Sequence, residues 1–539
     1  MSKYILVTSG VCSGLGKGVA TSAIGSLLES GGLKVALMKC DPYINIDAGT
    51  ISPYQQGEVF VTEDGAETDS DLGNYSRFTN VSLSTENLVT IGKVYDSVIK
   101  NERMGRYNGR TVQVIPHITD EIKRRIMAMG ARTGADVVIV EIGGTVGDIE
   151  SIPFLEVARQ LSREQGKTNC LTIHLTLVPS IIGNELKTKP TQQSVKKLQE
   201  TGIQPDILLC RCDRMLDEEN KRKIAMFCNV GENAVFTSTD IEKSVYELPI
   251  LFHNQGLDSR IIEKLGFDGV KPNADSWISF IKKLEEPSKE KRTHLTIAMV
   301  GKKDYLDDCF KSVRESLFHA AVTSFNAEFE IKKIDAEKLE EKADISPFFE
   351  GIDAIVIPGN YGQRGFLGLL QTVRYARENA IPFLGIDLGM QLMAIESART
   401  LLSWADADST EFMKNAKHAV ISLPEEQTGT ISAGIMKLGA SNVRIKKSSR
   451  LFEIYGSQTI SERHRSKYTF DRKYAHDLEE VGLLVTATSE EDGQTEAFEW
   501  KGHPWGIGVQ FHPEFRSRPT KPHPLFTNFL GAAIKRKQK

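Results

Sequence analysis

Short apolar runs alternate with amphipathic stretches along the first half of the chain. The runs are apolar at nearly every position, which is typical of parallel strands covered on both faces. They are Tyr4–Thr8, Lys34–Met38, Asp136–Glu141, Asn169–Val178 and Asp206–Arg211. Helical periodicity lies between them, for example over Gly18–Glu29 and Thr119–Gly130. This alternation predicts a doubly wound α/β domain.

A second α/β pattern begins after a polar, proline-containing stretch between Ile281 and Arg292. Such a stretch is typical of a linker, although a helix end followed by a surface loop would look the same. The strands predicted after it are Leu295–Val300, Phe329–Lys332, Ala354–Ile357 and Pro382–Ile386. We therefore predict one domain over residues 1–268, a linker over 269–293 and a second domain over 294–539.

Composition narrows the class of protein. The 539 residues are 40% hydrophobic and 26% charged, as in ordinary globular proteins. A net charge of -4 provides no general field that would attract nucleic acid or an anionic membrane. No apolar run is long enough for a membrane span, and the seven scattered cysteines form no metal or redox pair. We expect a cytoplasmic enzyme without a nucleic-acid or membrane partner.

Candidate chemistry begins where the first strand enters the glycine-rich turn that contains Lys17. Backbone N–H groups and a helix N-terminus at such a turn bind phosphates, although a turn of this kind can also lack a ligand. The usual P-loop serine or threonine, which binds Mg²⁺, is replaced here by Gly18. Acids elsewhere must then hold the metal, and Glu141 ends an apolar strand at the same predicted edge. Thr62–Asp71 offers a second acid or a solvated loop, and Lys39 adds a cation.

Motifs in order along almost the whole chain are similar to those of one family. In the first half they are Ser13–Gly18, Met38–Asn45, Gly57–Asp69, Val112–Thr119, Glu141–Ser151, Lys187–Gln192 and Gln204–Arg211. In the second half they are Arg377–Asn379, Ser409–Phe412, Glu462–Arg465 and Gln510–Phe515. The chain resembles CTP synthase. The resemblance implies a doubly wound, P-loop-like amidoligase domain joined to a C-terminal class I glutamine amidotransferase-like α/β domain.

The resemblance also implies a reaction and its residues. ATP phosphorylates the 4-oxygen of UTP, and ammonia then displaces the phosphate to give CTP, with Lys17 and Lys39 as catalytic cations. Mg²⁺ would be held by Asp71 and Glu141. ATP would be bound by Gly14, Leu15, Gly16, Lys17, Gly18, Val19, Asp71, Thr239, Asp240 and Ile241. UTP, and CTP as inhibitor, would be bound by Ser13, Asp148, Ile149, Glu150, Lys187, Thr188, Lys189, Pro190, Thr191, Gln192 and Lys223. A homotetramer is implied as well.

The second half departs from the resemblance at its nucleophile. Class I amidotransferases hydrolyse glutamine with a cysteine activated by a histidine and a glutamate. Here Asp387 occupies the cysteine position, His512 and Glu514 remain, and no cysteine follows Cys309. The oxyanion loop Gly359–Gly362 contains Asn360, the lid segment Ile421–Gly439 is short, and Gln56 replaces the family's gating histidine. These changes together predict a natural loss of glutaminase activity.

The leading hypothesis is an ATP-dependent UTP amidoligase that uses free ammonia. One alternative is a paralogue that joins a different small amine to a pyrimidine nucleotide. Another is a catalytically silent regulatory partner of an active CTP synthase, which the retained lysines and acids disfavour. For the second domain, we expect Asp387 to form an ion pair with His512. A structural remnant, a solvated abandoned pocket and a site that attracts an ammonium group are the other interpretations.

Overall fold

The computed structural model describes residues 2–46, 57–181, 185–241, 243–285, 293–302, 309–359, 362–424 and 436–539. The chain divides into two compact units. The first comprises Met1–Ile51 and Asp71–Lys282, and the second comprises Ser52–Ser70 and Lys283–Lys539. Within the described ranges, no helix has the length and apolar character that crossing a bilayer requires.

The described residues between 3 and 239 form eleven strands. They are β1 (Lys3–Ser9), β2 (Val35–Asp41), β3 (Phe60–Val61), β4 (Glu67–Thr68), β5 (Leu88–Thr90), β6 (Val137–Ile142), β7 (Cys170–Leu177), β8 (Ser180–Ile181), β9 (Glu185–Leu186), β10 (Ile207–Cys212) and β11 (Val235–Thr239). Seven of them form the parallel sheet of the first unit, in the order β11-β10-β7-β1-β6-β2-β5. The strands β3 and β4 form a small antiparallel hairpin that belongs to the second unit.

The described residues between 17 and 285 form ten α-helices. They are α1 (Lys17–Ser30), α2 (Ser70–Phe78), α3 (Ile91–Arg103), α4 (Thr119–Thr133), α5 (Ile152–Gln165), α6 (Lys189–Glu200), α7 (Glu218–Cys228), α8 (Leu248–Asn254), α9 (Leu257–Lys264) and α10 (Asp275–Glu285). The central strand β6 is buried at all six positions because helices cover the sheet. The predicted doubly wound α/β domain is therefore confirmed, and all carboxyl ends of its strands meet at one edge.

The second unit contains a mixed sheet. Its further strands are β12 (His294–Gly301), β13 (Glu328–Asp335), β14 (Ala354–Ile357), β15 (Phe383–Ile386), β16 (Ala407–Ser409), β17 (His418–Ser422), β18 (Lys437–Ile445), β19 (Thr459–Ser466), β20 (Thr469–Phe470), β21 (Leu483–Ser489), β22 (Thr495–Trp500) and β23 (Gly506–Val509). Nine form one sheet in the order β13-β12-β14-β15-β23-β22-β21-β18-β19. The first five pair in parallel, and the last four extend the sheet with antiparallel pairs.

Helices cover both faces of this second sheet. They are α11 (Lys311–Ala320), α12 (Ala336–Glu340), α13 (Phe366–Glu378), α14 (Leu388–Thr400), α15 (Arg450–Tyr455), α16 (Ala475–Glu480) and α17 (Pro524–Lys537). One apolar core lies on the α13 and α14 side, and another lies on the α11 and α17 side. The predicted α/β architecture of the second half is thereby confirmed.

The predicted domain boundaries differ from this division in two places. The predicted linker 269–293 contains helix α10, whose Trp277 is buried and packs against Phe78 and Tyr246 with ring centroids 5.3 and 6.0 Å apart. The helix therefore belongs to the first unit, while residues 286–292 lie outside the described residues. The acidic stretch Thr62–Asp71, except Asp71 itself, groups with the second unit instead of the first.

Candidate active site

A glycine-rich turn joins β1 to α1 at the carboxyl edge of the first sheet. Gly14 and Gly16 have φ angles of 77° and 81°, a left-handed conformation that glycine adopts without steric cost. The predicted ATP-phosphate residues divide between this turn, which contains Gly14, Leu15 and Gly16, and the first helical turn, which contains Lys17, Gly18 and Val19. Free N–H groups at the start of a helix favour phosphate binding at this place.

The side chain of Lys17 points back beneath the turn. Its Nζ donates to Ser9 Oγ at 3.2 Å, to the Gly144 carbonyl at 3.0 Å and to the Ile142 carbonyl. Burial lowers the pKa of this lysine, and Glu141 partly offsets that effect. The ammonium group therefore sits between the ends of β1 and β6, next to the turn.

Asp71 fills the space that a P-loop hydroxyl side chain would take. A Cβ atom on Gly18 would lie 2.1 Å from Asp71 Oδ1, so the aspartate excludes any larger residue there. Lys39, at the end of β2, donates to Asp71 Oδ2 at 2.6 Å and lies 3.3 Å from Asp41 Oδ2. Three residues that are distant in sequence thus meet beside the first turn of α1.

Glu141 lies fully buried at the end of β6 and accepts a hydrogen bond from the Tyr75 hydroxyl. Burial, and then the nearby Asp71 carboxylate, raise the pKa of Glu141 to about 7. Two carboxylates this close suit a divalent cation, since Mg²⁺ binds few protein carboxylates and completes its shell with phosphate and water. Among the described residues, no three His, Cys, Asp or Glu side chains form a complete metal cage. Asp71 and Glu141 therefore fit a metal shared with a nucleotide.

The predicted UTP residues lie on loops and a helix start after neighbouring strands. Ser13 is exposed in the turn, and Asp148 accepts from the Thr145 N–H at 3.1 Å in the loop after β6. Ile149, in the same loop, is 80% exposed, which is unusual for an isoleucine. Glu150 follows it and is also exposed.

The second group of predicted UTP residues follows β9. Lys187 pairs with Glu185 at 2.6 Å, and Thr188 precedes α6. The first turn of α6 consists of Lys189, Pro190, Thr191 and Gln192. Thr191 is buried and donates to the Leu177 carbonyl at 2.9 Å, which fixes the helix start to the end of β7. Lys223 is exposed on α7.

Arg211 is a residue that motif matching did not single out as part of the site. It lies next to the last residue of β10, donates from Nε to Asp240 Oδ1 at 2.8 Å, and lies 3.3 Å from the position of a Cβ on Gly16. Arg211 thereby links the phosphate turn to the predicted adenine contacts at the end of β11, which are Thr239, Asp240 and Ile241. Its position near the carboxyl end of a predicted strand is the sequence feature that could have identified it as a site residue.

The turn at Asp387 in the second unit has the conformation of a nucleophile turn. Asp387 joins β15 to α14 with φ 50° and ψ −104°, a strained conformation for any residue except glycine. Its side chain is buried and accepts from Gln510 Nε2 at 2.5 Å. Burial raises the pKa of Asp387 to about 7. Gln510 lies in the motif Gln510–Phe515, but its contact with Asp387 was not predicted from the sequence.

The expected ion pair between Asp387 and His512 is wrong. His512 Nδ1 instead binds Glu514 Oε1 at 2.7 Å, and its ring stacks on Phe515 with centroids 5.2 Å apart. No ion-pair contact joins Asp387 to His512 in the described part of the chain, and the hydrogen bond that Asp387 Oδ1 accepts comes from Gln510 Nε2. Burial lowers the pKa of His512, but the carboxylates of Glu514 and then Asp387 outweigh that effect, and the net shift is upward.

Some predicted features of this unit cannot be placed. Gln56, Asn360 and residues 425–435 of the lid segment lie outside the described residues. The two described ends of the oxyanion loop are ordered by contacts. Gly359 lies against the Asp387 turn, and the Gly362 N–H donates to Glu411 Oε1 at 2.8 Å.

Comparison with known proteins defines the class of the two halves. Residues 3–267 match the family described as CTP synthase N-terminus, and residues 305–532 match class-I glutamine amidotransferase. The chain thus combines an N-terminal domain of the CTP synthase type with a C-terminal domain of the class-I glutamine amidotransferase type. It is 49% identical over 540 residues to a CTP synthase of Syntrophus aciditrophicus (strain SB), covering 100% of this chain and 99% of the relative. The chain belongs to the CTP synthase family.

A second relative agrees with this membership. A CTP synthase of Geobacter sulfurreducens (strain ATCC 51573 / DSM 12127 / PCA) is also 49% identical over 540 residues, covering 100% of this chain and 99% of the relative. Among solved structures, the Trypanosoma brucei CTPS glutaminase domain with bound acivicin is 35% identical. That match covers 45% of this chain and 94% of the other, with a TM-score of 0.42.

Proposed function

We propose that the protein aminates UTP at C4 with ATP to give CTP, and that it takes free ammonia instead of glutamine. The observation that carries this proposal is the buried Asp387, hydrogen-bonded to Gln510, at the nucleophile turn of the amidotransferase-like unit. The sequence offers no replacement thiol after Cys309.

The chemistry of Asp387 supports the loss of glutaminase activity. A carboxylate that attacked an amide would form a mixed anhydride, and it is a much weaker nucleophile than a thiolate.

The ligase half retains what phosphoryl transfer requires. Lys17 and Lys39 offset the charge that develops when the γ-phosphate of ATP moves to the 4-oxygen of UTP. Asp71 and Glu141 would hold Mg²⁺, which neutralises phosphate charge when bound. Gly14–Val19 would bind the phosphates of ATP, and Thr239–Ile241 would bind its adenine. The loop and helix residues named above for UTP would bind UTP or inhibitory CTP. Ammonia then attacks C4, and phosphate leaves.

Product analysis tests the proposal directly. Purified protein with ATP, Mg²⁺ and UTP is expected to form CTP when ammonium chloride is added and no CTP above background when glutamine is added. Lys17→Ala is expected to lower CTP formation at least about a hundredfold, because it removes a cation from the phosphate turn. Lys34→Ala, at an exposed position before β2, is the matched control and is expected to retain activity.

The outcomes separate the alternatives. CTP from glutamine would contradict the assignment of Asp387. ATP consumption without CTP would favour a different amine, and no consumption with any amine would favour a silent regulator. The proposal also includes assembly into a homotetramer and inhibition by CTP. Sedimentation tests the tetramer, and activity measured during titration with CTP tests the inhibition.

A further inference from the structure

Helix α2 carries a buried tyrosine one turn after Asp71, the first of the two predicted metal ligands. Residues four positions apart lie on the same face of an α-helix, so Asp71 and Tyr75 project from the same side of α2. Tyr75 is fully buried, and its hydroxyl donates a hydrogen bond to Glu141 Oε2. One helix therefore supplies one predicted metal ligand and holds the other.

The packing of α2 fixes the position of this hydroxyl. Every residue of the helix from Leu72 to Phe78 is buried. The Tyr75 carbonyl accepts from the Thr79 hydroxyl at 2.7 Å, and the Phe78 ring lies 5.3 Å from the ring of Trp277. A helix that is packed on this scale keeps its register against the sheet, so the Tyr75 side chain reaches strand β6 at a defined point.

The hydrogen bond from Tyr75 determines which oxygen of Glu141 is used. Because the phenol engages Oε2, the lone pairs of Oε1 remain for a cation. The Asp71 carboxylate is oriented in a similar way, since its Oδ2 accepts from Lys39 at 2.6 Å. Each of the two acids is thus held by a neighbouring side chain, Glu141 by a phenol and Asp71 by an ammonium group.

We propose that Tyr75 is a positioning residue whose hydroxyl holds the Glu141 carboxylate in the orientation that binds Mg²⁺ together with Asp71. Carboxylates that bind metals are commonly held by such a hydrogen bond, and its loss typically weakens metal binding or activity roughly 10- to 100-fold. A packing role would need only the aromatic ring, which phenylalanine also supplies. The effect of Tyr75 on UTP amination rests on the proposed function, but its effect on metal binding does not.

Binding of Mn²⁺, a paramagnetic substitute for Mg²⁺, tests this role without turnover. The full chain is titrated with Mn²⁺ in the presence of a non-hydrolysable ATP analogue, and free Mn²⁺ is measured by electron paramagnetic resonance, with the analogue alone as the baseline. Tyr75→Phe keeps the ring and removes only the hydroxyl, so the dissociation constant for Mn²⁺ is expected to rise at least about tenfold. Tyr4→Phe is the matched control and is expected to keep the wild-type affinity, because Tyr4 is a buried tyrosine near the amino end of β1.

A double-mutant cycle with Glu141→Gln distinguishes positioning from packing. If the hydroxyl acts through the Glu141 carboxylate, Tyr75→Phe in the Glu141→Gln background is expected to have almost no further effect on Mn²⁺ affinity. Thermal unfolding of each variant shows that it is folded. In the CTP assay, Tyr75→Phe is expected to raise the Mg²⁺ concentration for half-maximal rate at least about tenfold, while the KM for UTP stays the same.

The remaining outcomes overturn one statement or the other. An unchanged Mn²⁺ affinity in Tyr75→Phe, an equal loss in Tyr4→Phe, or a full additional loss in the Glu141→Gln background would overturn the positioning role. Mn²⁺ binding that depends on the Tyr75 hydroxyl, in a wild type that makes no CTP from ammonia, would leave the role standing and refute the proposed function. CTP formation from ammonia with the same Mg²⁺ requirement in wild type and Tyr75→Phe would do the reverse.

Discussion

His174 is a buried residue beneath the phosphate turn that the reaction scheme does not use. Its Nδ1 lies 2.8 Å from Thr8 Oγ1 and its Nε2 lies 2.7 Å from Ser194 Oγ, so β1 and α6 are joined through one ring. A Cβ on Gly10 would lie 1.9 Å from Ser194 Oγ, which shows how closely the turn rests on this network. The histidine thus supports both predicted nucleotide sites.

The ionisation of His174 predicts acid sensitivity of the first unit. Burial, and then Lys17, lower the pKa of His174 from 6.5 to about 3. The unfolded chain therefore binds a proton that the folded chain excludes, so this contribution to stability is full above pH 6.5 and is lost as the pH falls toward 3. The expected loss is about 2 kcal/mol at about pH 5.

Thermal unfolding of wild type and His174→Gln at neutral pH and near pH 5 checks this prediction. The variant is expected to be less stable at neutral pH, since a buried hydrogen-bond network changes, but to lose less stability on acidification. An equal pH dependence of the unfolding temperature in both proteins would contradict the prediction.

A substitution at the start of helix α1 is predicted to lower activity without lowering stability. In Gly18→Ala, the new Cβ would lie 2.1 Å from Asp71 Oδ1, so the carboxylate must move. Alanine favours a helix more than glycine, so the helix itself is not weakened. We expect CTP formation to fall at least about tenfold while the unfolding midpoint stays the same or rises.

Gly25→Ala in the same helix is the matched control for this variant. Its Cβ would meet only methyl groups, of Leu37 at 3.1 Å and Thr79 at 3.4 Å. Those side chains are remote from the carboxylates, so activity is expected to persist. A Gly18→Ala protein with full activity would refute the placement of Asp71 in the site.

Elements differ in how well the sequence predicts them. The parallel strands were found because they are apolar at nearly every position, as in β6. Strand β19 was not predicted, because its buried residues include Glu462, Arg463 and His464. These polar residues interrupt the hydrophobic pattern by which a strand is recognised. The family resemblance assigned Asp71 as a metal ligand, but its contact with Gly18 depends on long-range packing. The wrong ion pair at Asp387 also depends on packing, since Gln510 and His512 are close together in sequence and the sequence does not show which of them contacts Asp387.

At the scale of the whole chain, the hairpin region 57–70 lies in the first half of the sequence but belongs to the second unit of the structure. Glu58 accepts from the Ser312 N–H and Oγ at 2.7 and 2.6 Å. Glu63 Oε1 accepts from Arg463 Nε and an amino nitrogen at 3.0 and 2.7 Å, and its Oε2 lies 2.7 Å from Arg516. The second unit therefore requires the Glu63 carboxylate to neutralise Arg463 and Arg516.

Glu63→Gln tests that requirement. Arg463 is 3% exposed, and removal of the partner leaves a buried guanidinium without its counter-charge. Since Glu63 itself is 29% exposed, water partly compensates, and we expect a loss of about 1–3 kcal/mol in the unfolding of the second unit. Chemical unfolding followed by tryptophan fluorescence measures it, with Glu350→Gln as the exposed control.

The same contacts predict the behaviour of a fragment cut at the linker. Residues 293–539 expressed alone would keep Arg463 and Arg516 but lose Glu63, together with the Phe60 ring that packs on Phe515 at 5.1 Å. The fragment is expected to unfold at a lower temperature than the second unit of the intact protein, and a peptide of residues 57–70 is expected to raise its midpoint. The same peptide with Glu63→Gln should be less effective, because a neutral amide cannot balance two guanidinium groups. Equal stabilisation by both peptides would mean that apolar packing, and not charge, ties the hairpin to this unit.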